Sequence, residues 1–452
     1  MTQTMTARPQ NAGLETLFTA AVAHHRESRF DAARDLYRRI LIQDPQQVMV
    51  WSHLSLASLP VGVEQAGWTA GRALRLAPTL AEGHCNLAAI QRAAGGVEQA
   101  IASLRSATVL QPFLAAPYNN LGALERDAGR ISSAALQFRR AAALSPDHPD
   151  IHCNLGAALL QLGDYEEGWR EHEWRLHPEA STGQPRRSFD RPLWQGEDLA
   201  GKTILLHAEQ GLGDTLQFIR FAAPIAALGA RVVVEAPPSL TRLLATAPGV
   251  ATTEPADFDF HLPMMSAPHR LGISLATLPA ATPYLKAPAS EWRRRLSDLP
   301  GLKVGLAWAG NPALKLPWSA DANARRSIAL DQLRPLLDVE GVTMVSLQKD
   351  AAAPELIDFM GEIEDFADTA ALVEALDLVI TVDTSVAHLA GSLGKPVWIL
   401  SRFDGCWRWL GHRADSPWYP SARLFHQKNR DDWTPVIGEV VSSLLSLVKK
   451  TH

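Results

Sequence analysis

A period of about 34 residues dominates the first third of the chain. Pro45, Pro78, Pro112 and Pro146 recur at steps of 33, 34 and 34, and Pro178 follows 32 residues later. Leu54, Leu87, Leu121 and Leu155 keep step, as do Ala33, Ala66, Ala100 and Ala134. Each unit carries two helix-length apolar patterns with a proline after the second. A unit of that kind cannot bury its own apolar face and must stack on its neighbours. Five units are expected, at residues 14–47, 48–81, 82–115, 116–149 and 150–178, the last grading into a linker. In the fourth, Gly122 and Ala134 are small enough for the paired helices to approach closely, Phe138 fills the gap, and Pro146 stops the second helix.

This period and layout are the tetratricopeptide (TPR) signature, so residues 14–178 are expected to form a TPR helical solenoid with a concave groove. Asn86, Asn120 and Asn154 precede the repeated leucine, with His53 in the equivalent place of the second unit. Identical positions in stacked repeats form a column. A column of carboxamides offers donors and acceptors to the backbone of a bound polypeptide, or bonds only to its own helices. His84-Cys85 and His152-Cys153 look like metal-ligand pairs but stand two repeats apart, roughly 20 Å, too far for one ion with bonds of about 2 Å. No metal is expected.

At 452 residues the chain is too long for a single domain. Apolar residues at 46% and charged residues at 20% exclude global disorder. A net charge of −5 argues against a broad basic surface for nucleic acid. Three scattered cysteines do not make a disulfide framework, and no run of about 18 apolar residues marks a membrane span. The polar start, Met1 to Gly13, lacks the pattern of a secretory signal. A soluble cytoplasmic protein is the expectation.

Beyond a connector at 179–197, short β-branched runs alternate with helical stretches, the pattern of a parallel α/β sheet. One Rossmann-like half is expected at 198–290. It has strands at Thr203–His207 and Arg231–Glu235 and a helix from Asp214 to Leu228. A second is expected at 300–452, with strands at Lys303–Trp308, Thr343–Leu347, Leu378–Val382 and Val397–Leu400. Pro283 to Leu299 would cross between them.

In the first half, Glu209-Gln210-Gly211-Leu212-Gly213-Asp214 lies at the carboxyl end of a strand, where open parallel sheets bind ligands. Gly211 and Gly213 let the backbone approach a ligand. Asp214 opens the helix, either as a cap or as a base for an incoming hydroxyl. A dinucleotide fingerprint fails, because Leu216 takes the third glycine's place and Asp214 would oppose a pyrophosphate. Asp257-Phe258-Asp259 reads as a loop or strand edge rather than a metal chelate.

In the second half, Asp383-Thr384-Ser385 joins a buried strand to a helix whose N-terminus is a ready anion site, with His388 a further donor or a surface residue. Asn311 lies in a loop at the same rim. Lys315, Arg325 and Arg326 follow, and one of them is expected on phosphate. Gln348 and Lys349 end the next strand and are placed to reach a base or ribose. Phe403, Trp407, Trp409 and Trp418 form an aromatic end, mostly packing.

The segments HAEQGLGDTLQF (207–218), VGLAWAGNP (304–312), SLQKD (346–350), DFADTAALVEALDLVITVDTSVAH (365–388), Gly394 to Trp398 and WRWLGHRADSPWYPSARLF (407–425) resemble bacterial TPR proteins fused to a GT-B glycosyltransferase similar to family 9, the heptosyltransferases. The resemblance implies metal-independent, inverting transfer of a sugar from a nucleotide-diphosphate donor, a co-substrate, with no cofactor. By the family's pattern Asp214 is the general base. Asp383, Thr384, Ser385 and His388 match the donor-phosphate motif, with Arg326, less closely Lys315, as its basic partner. Asn311, Gln348 and Lys349 complete the donor side, and Gln210, Gly211 and Gly213 the acceptor side.

Heptosyltransferases lack the repeats, which favours a protein acceptor over lipopolysaccharide. The expected chain is therefore an α + α/β protein, a solenoid followed by two halves forming a GT-B fold. It would glycosylate a polypeptide held in its groove by Asn86, Asn120 and Asn154. Heptosyl-type transfer and a non-catalytic scaffold that only binds nucleotide are the alternatives, and homodimer formation is left open. The enzymatic reading requires a lone carboxyl, Asp214, to face the anion site across a shared gap.

Overall fold

The structure, a computed structural model, describes residues 10–181, 187–310, 323–349, 351, 353–411 and 413–451. The chain divides into two compact units, residues 1–155 and 156–452.

Paired antiparallel helices build the first unit. They are α1 (Gln10–Arg26) with α2 (Phe30–Gln43), α3 (Val48–Ala57) with α4 (Val63–Leu76), α5 (Ala81–Ala93) with α6 (Val97–Leu110), and α7 (Ala115–Asp127) with α8 (Ile131–Leu144). The second helix of each pair ends two residues before its repeat proline, which cannot continue the helix. Those prolines also explain the histidines. The side chains of Trp51, His84, Tyr118 and His152 each meet the carbonyl oxygen of the proline six residues earlier, at 2.9, 2.9, 3.3 and 2.8 Å. His84 and His152 thus bind backbone within their own repeats. Within pairs, Gly95 and Gly129 turn the chain at φ 80° and 76°, in the left-handed region that glycine enters without a Cβ clash. A Cβ on Gly122 would sit 2.7 Å from the Phe138 ring, so this pair closes because one side is glycine and the other aromatic.

The fifth pair behaves differently. Helix α9 (Pro149–Leu162) runs across the boundary between the units, and α10 (Tyr165–His172) belongs wholly to the second. Tyr165 and Trp169 are buried, with ring centroids 6.0 Å from Trp418 and 6.1 Å from Phe218 respectively. With no sixth repeat to stack on, α10 buries its aromatic face in the α/β core. The compact boundary accordingly falls before 178, the end expected for the solenoid. The connector is also partly built in. Trp194 is buried, its backbone N–H donates to the carbonyl of His261 at 3.0 Å, and Leu193 bridges to His261 in parallel.

Two parallel sheets form the second unit. The first has the order β3-β2-β1-β4, with β1 Thr203–His207, β2 Arg231–Glu235, β3 Val250–Thr252 and β4 Phe260–Pro263. The second has the order β10-β9-β8-β5-β6-β7. Its strands are β5 Leu302–Ala307, β6 Val342–Ser346, β7 Ile357–Asp358, β8 Leu378–Val382, β9 Val397–Ser401 and β10 Ala422–His426. Strand β8 is buried at every position, as a central parallel strand covered on both faces must be. The Asp257–Asp259 stretch is a strand edge: Asp259 exchanges backbone and side-chain hydrogen bonds with Thr203 at 2.8 Å.

The helix expected from Asp214 to Leu228 is broken. Helix α11 covers Leu212–Phe218, a 3-10 turn follows at Ile219–Phe221, and α12 covers Ala222–Ala226. Pro224 removes the N–H that would bond to the carbonyl of residue 220, so the ladder cannot continue. Further helices are α13 (Pro238–Leu244), α14 (Ala267–Arg270), α15 (Trp292–Ser297), α16 (Arg334–Leu337), α17 (Phe366–Ala375), α18 (Ser385–Ser392) and α19 (Thr434–Thr451). One buried cluster runs through both halves, joining Leu206, Phe218 and Val234 to Leu372, Val379 and Leu389. A second lies on the other face of the larger sheet, where Leu306 and Ile380 pack with Val440 of α19. Ion pairs of Arg242 with Asp365 and Asp368 add a link from α13 to α17.

Candidate functional site

The site lies where α11, after β1, meets α18, after β8. A Cβ on Gly213 would stand 2.8 Å from Cδ2 of His388 and 3.4 Å from Cα of Ser385. The two helices touch there only because residue 213 has no side chain. The carboxyl-end loops of the two sheets are thereby brought together, where parallel sheets offer ligand sites.

Asp214 sits in the first turn of α11. Its Oδ2 accepts from the Gly211 N–H at 2.9 Å, closing the turn. Its Oδ1 is paired with Nη2 of Arg408, from the turn after β9. The expected lone carboxyl is therefore a paired one, and its partner comes from the opposite half. Asp214 keeps 18% of its side chain exposed, enough for a ligand to reach it. Arg408 also donates from Nε to Oε1 of Gln217 at 2.9 Å and from Nη1 to Sγ of Cys406 at 3.1 Å. Burial is the largest influence and opposes its charge, but Asp214, Cys406 and Asp383 together outweigh it and hold the guanidinium firmly protonated. Of the other acceptor-side residues, Gln210 is half-buried and Gly211 exposed.

Thr384 caps α18 with extended backbone and no side-chain cap bond, leaving the first-turn N–H groups without side-chain partners among the described residues. Its hydroxyl lies 3.3 Å from that of Thr381, and Ser385 is half-buried beside it. Asp383 is 8% exposed, and its carboxylate has no hydrogen-bond partner among the described residues. Its carbonyl accepts from Nη1 of Arg326 at 3.0 Å, and Asn323 braces that guanidinium at 3.1 and 3.0 Å. Arg325 turns instead to Asp404 at 3.1 Å, where Arg402 also binds at 2.8 Å. Arg326 is thus the arginine of the pair that meets the α18 loop. Asn311 and Lys315 lie outside the described residues.

His388 is not a surface residue. It is 4% exposed, stacked on Trp409 at 5.4 Å and hydrogen-bonded through Nδ1 to the Tyr419 hydroxyl at 2.9 Å. Burial, then the Arg408 charge, push its pKa down to about 3, so it stands neutral at physiological pH. Gln348 is used structurally: its Oε1 accepts from the N–H groups of Trp308 and Ala309 at 3.1 and 2.9 Å, tying two strand ends together. Lys349 is exposed next to it. In the aromatic end, Trp409 and Trp418 are fully buried, while Phe403 and Trp407 are half-buried.

The three asparagines of the repeats do not share one environment. Asn86 is buried and donates to the carbonyl and hydroxyl of Ser52 at 3.1 and 2.8 Å. Asn154 bonds to Asn119 and Arg126 at 3.1 and 3.3 Å, and Asn120 is exposed.

Sequence reasoning missed Arg408 and Arg175. Arg175, just after α10, grips Glu209 of the β1 loop with Nε and Nη2 at 2.9 and 2.8 Å, and also binds Glu173 and Ser266 at 2.7 and 2.8 Å. The signal for Arg408 was its position, an arginine between two tryptophans in the segment that follows a parallel strand. Among the described residues no His, Cys, Asp and Glu side chains converge as a metal-ligand set.

The TPR repeat family matches residues 124–163. Protein FlbA of Caulobacter vibrioides is 30% identical over 333 residues, 64% of this chain and 54% of that protein. The chain thus spans about half the length of that curated relative. The matched share exceeds the 155-residue repeat unit, so the likeness continues into the α/β unit. Among solved structures, a thermophilic TPR protein of Thermus thermophilus aligns at 23% identity and TM-score 0.34, covering 37% of this chain and 93% of the other. The pilF protein of Pseudomonas aeruginosa aligns at 15% identity and TM-score 0.36, covering 39% and 80%. The chain is an N-terminal TPR-type helical repeat region followed by a region of parallel sheets and helices, and no described helix is long and apolar enough to cross a membrane.

Proposed function

We propose that the α/β unit is a glycosyltransferase that takes a sugar from a nucleotide-diphosphate donor and passes it to a hydroxyl of a polypeptide recruited by the repeats. The observation that carries this reading is the Gly213–His388 approach. It sets the loop of Asp214 against the N-terminus of α18 at the carboxyl ends of both sheets. In the proposed reaction the diphosphate lies on the first-turn amides of α18, with Arg326 beside them. Asp214 takes the acceptor's hydroxyl proton as the oxygen bonds to the anomeric carbon. The bond from that carbon to the diphosphate breaks, and its electron pair leaves with the phosphate oxygen. The amides and Arg326 hold the charge growing on that oxygen. TPR arrays present extended surfaces to protein partners, which supports a polypeptide acceptor over lipopolysaccharide. The test is release of nucleoside diphosphate from a panel of UDP-, GDP- and ADP-sugars by the full chain and by Asp214→Asn. The expected result is turnover of one donor by the wild type and its loss, by about a hundredfold or more, in the variant. Normal turnover in Asp214→Asn removes the base role, and tight binding without turnover of any donor favours a scaffold.

A further inference from the structure

A buried guanidinium, that of Arg408, stands between Asp214 and the N-terminus of α18. Arg408 is 9% exposed, on the turn after β9, the strand next to β8 in the sheet. Its direct ion pair is with one carboxylate, Asp214. A guanidinium has five N–H donors. Three are used here, on Asp214, Gln217 and Cys406, and a thiol is a weak acceptor. Its charge acts on both Asp383 and His388, the residues that frame the N-terminus of α18. Three other described cations nearby are differently engaged. Arg325 and Arg402 share Asp404, and Arg326 rests on neutral oxygens. A nucleoside diphosphate brings more negative charge than Arg326 and the amides match among the described residues.

We propose that Arg408 is a second ligand of the donor's diphosphate, held ready by Asp214 until the donor arrives. This rests on the donor reading given above. Phosphate and Asp214 compete for one guanidinium, so donor binding loosens Asp214 just when the acceptor's proton needs a base. Donor arrival and base release are then one event, and Asp214 weakens donor binding by the strength of its hold on Arg408.

The experiment is calorimetric titration of the full chain with ADP, GDP and UDP and with the matching nucleosides. The proteins are wild type, Asp214→Asn, Arg408→Gln and the double variant, each checked for an intact unfolding transition. Arg408→Lys, which keeps the charge, replaces Arg408→Gln if the latter does not fold. For the diphosphate that binds wild type, Arg408→Gln is expected to weaken affinity by about tenfold or more, the value of a charge-assisted hydrogen bond. Asp214→Asn should tighten it several-fold, and that gain should vanish in the double variant. Nucleoside affinity should not move. Wild-type affinity in Arg408→Gln, or a gain from Asp214→Asn that survives in the double variant, would overturn the role of Arg408 alone. Absence of diphosphate binding to wild type would overturn the donor reading as well.

Discussion

Asp214 of one α/β half and Arg408 of the other form an ion pair beside the point where Gly213 meets His388. The contact joins the β1 loop to the β9 loop, so the two halves present their candidate chemical groups as one constellation.

The Gly213 contact gives a direct prediction. Gly213→Ala forces a methyl to within 2.8 Å of the His388 ring, which is stacked on Trp409 and has no room to retreat. Overpacking of this kind costs about 1–3 kcal/mol. Thermal unfolding should show that loss, with nucleoside-diphosphate affinity falling at the same time. A variant as stable as wild type would mean that the halves do not meet there.

Stability should fall in acid for an identifiable reason. His388 and His207 are both 4% exposed and both have pKa values pushed down to about 3, chiefly by burial and then by nearby arginines, Arg408 and Arg187. Their folded pKa values lie below the unfolded value of about 6.5. The unfolded chain therefore binds more protons between those limits. Their contribution is complete above about pH 6.5 and is lost as pH falls towards 3, a few kcal/mol by order of magnitude. Melting temperature against pH should decline below about 6.5, and His388→Asn should flatten that decline while costing stability at pH 8.

Where the repeats may be cut follows from α10. A fragment beginning at 179 lacks Tyr165, Trp169 and Arg175, leaving the pocket of Trp418 and Phe218 open and the half-buried Glu209 without its cation. It should not fold. A fragment of residues 156–452 should give a cooperative transition by circular dichroism. Within the full chain, Trp169→Ala should cost about 3–5 kcal/mol by cavity formation, and Arg175→Met about 3 kcal/mol by leaving the half-buried carboxylates of Glu209 and Glu173 without their cation.

Arg326→Gln removes the guanidinium that meets the α18 loop through the Asp383 carbonyl. It should weaken nucleoside-diphosphate binding by about tenfold or more and leave the nucleoside unaffected. Arg325→Gln, whose partner is Asp404, should change that affinity far less.

Much of this arrangement was legible in the sequence wherever one rule acted alone. The period of the prolines located the helix pairs, and the ends of β1, β2 and β8 coincide with their apolar runs. The strands that escaped, β3, β4, β7 and β10, are two to five residues long, and β4 ends in proline. They exist because a neighbouring strand supplies their hydrogen bonds, which no local pattern records. Gly213 was marked as a place of close approach, but the group approaching it, His388, comes from 175 positions further along the chain. Arg408 was hidden for a similar reason. Its partners Asp214 and Gln217 lie 194 and 191 residues away, and in sequence it reads as one charge between two tryptophans. Gln348 and Asn86 show the converse: polar side chains set at promising positions are used on Trp308, Ala309 and Ser52.

The most direct measurement is amide hydrogen exchange on the full chain with and without saturating nucleoside diphosphate. Exchange should slow at Ser385 and Val386, the open amides of α18, with a second change at the loop of Gly211 to Asp214 as Arg408 is drawn away. Binding that leaves those amides unchanged and protects a different surface would rule out α18 as the diphosphate site.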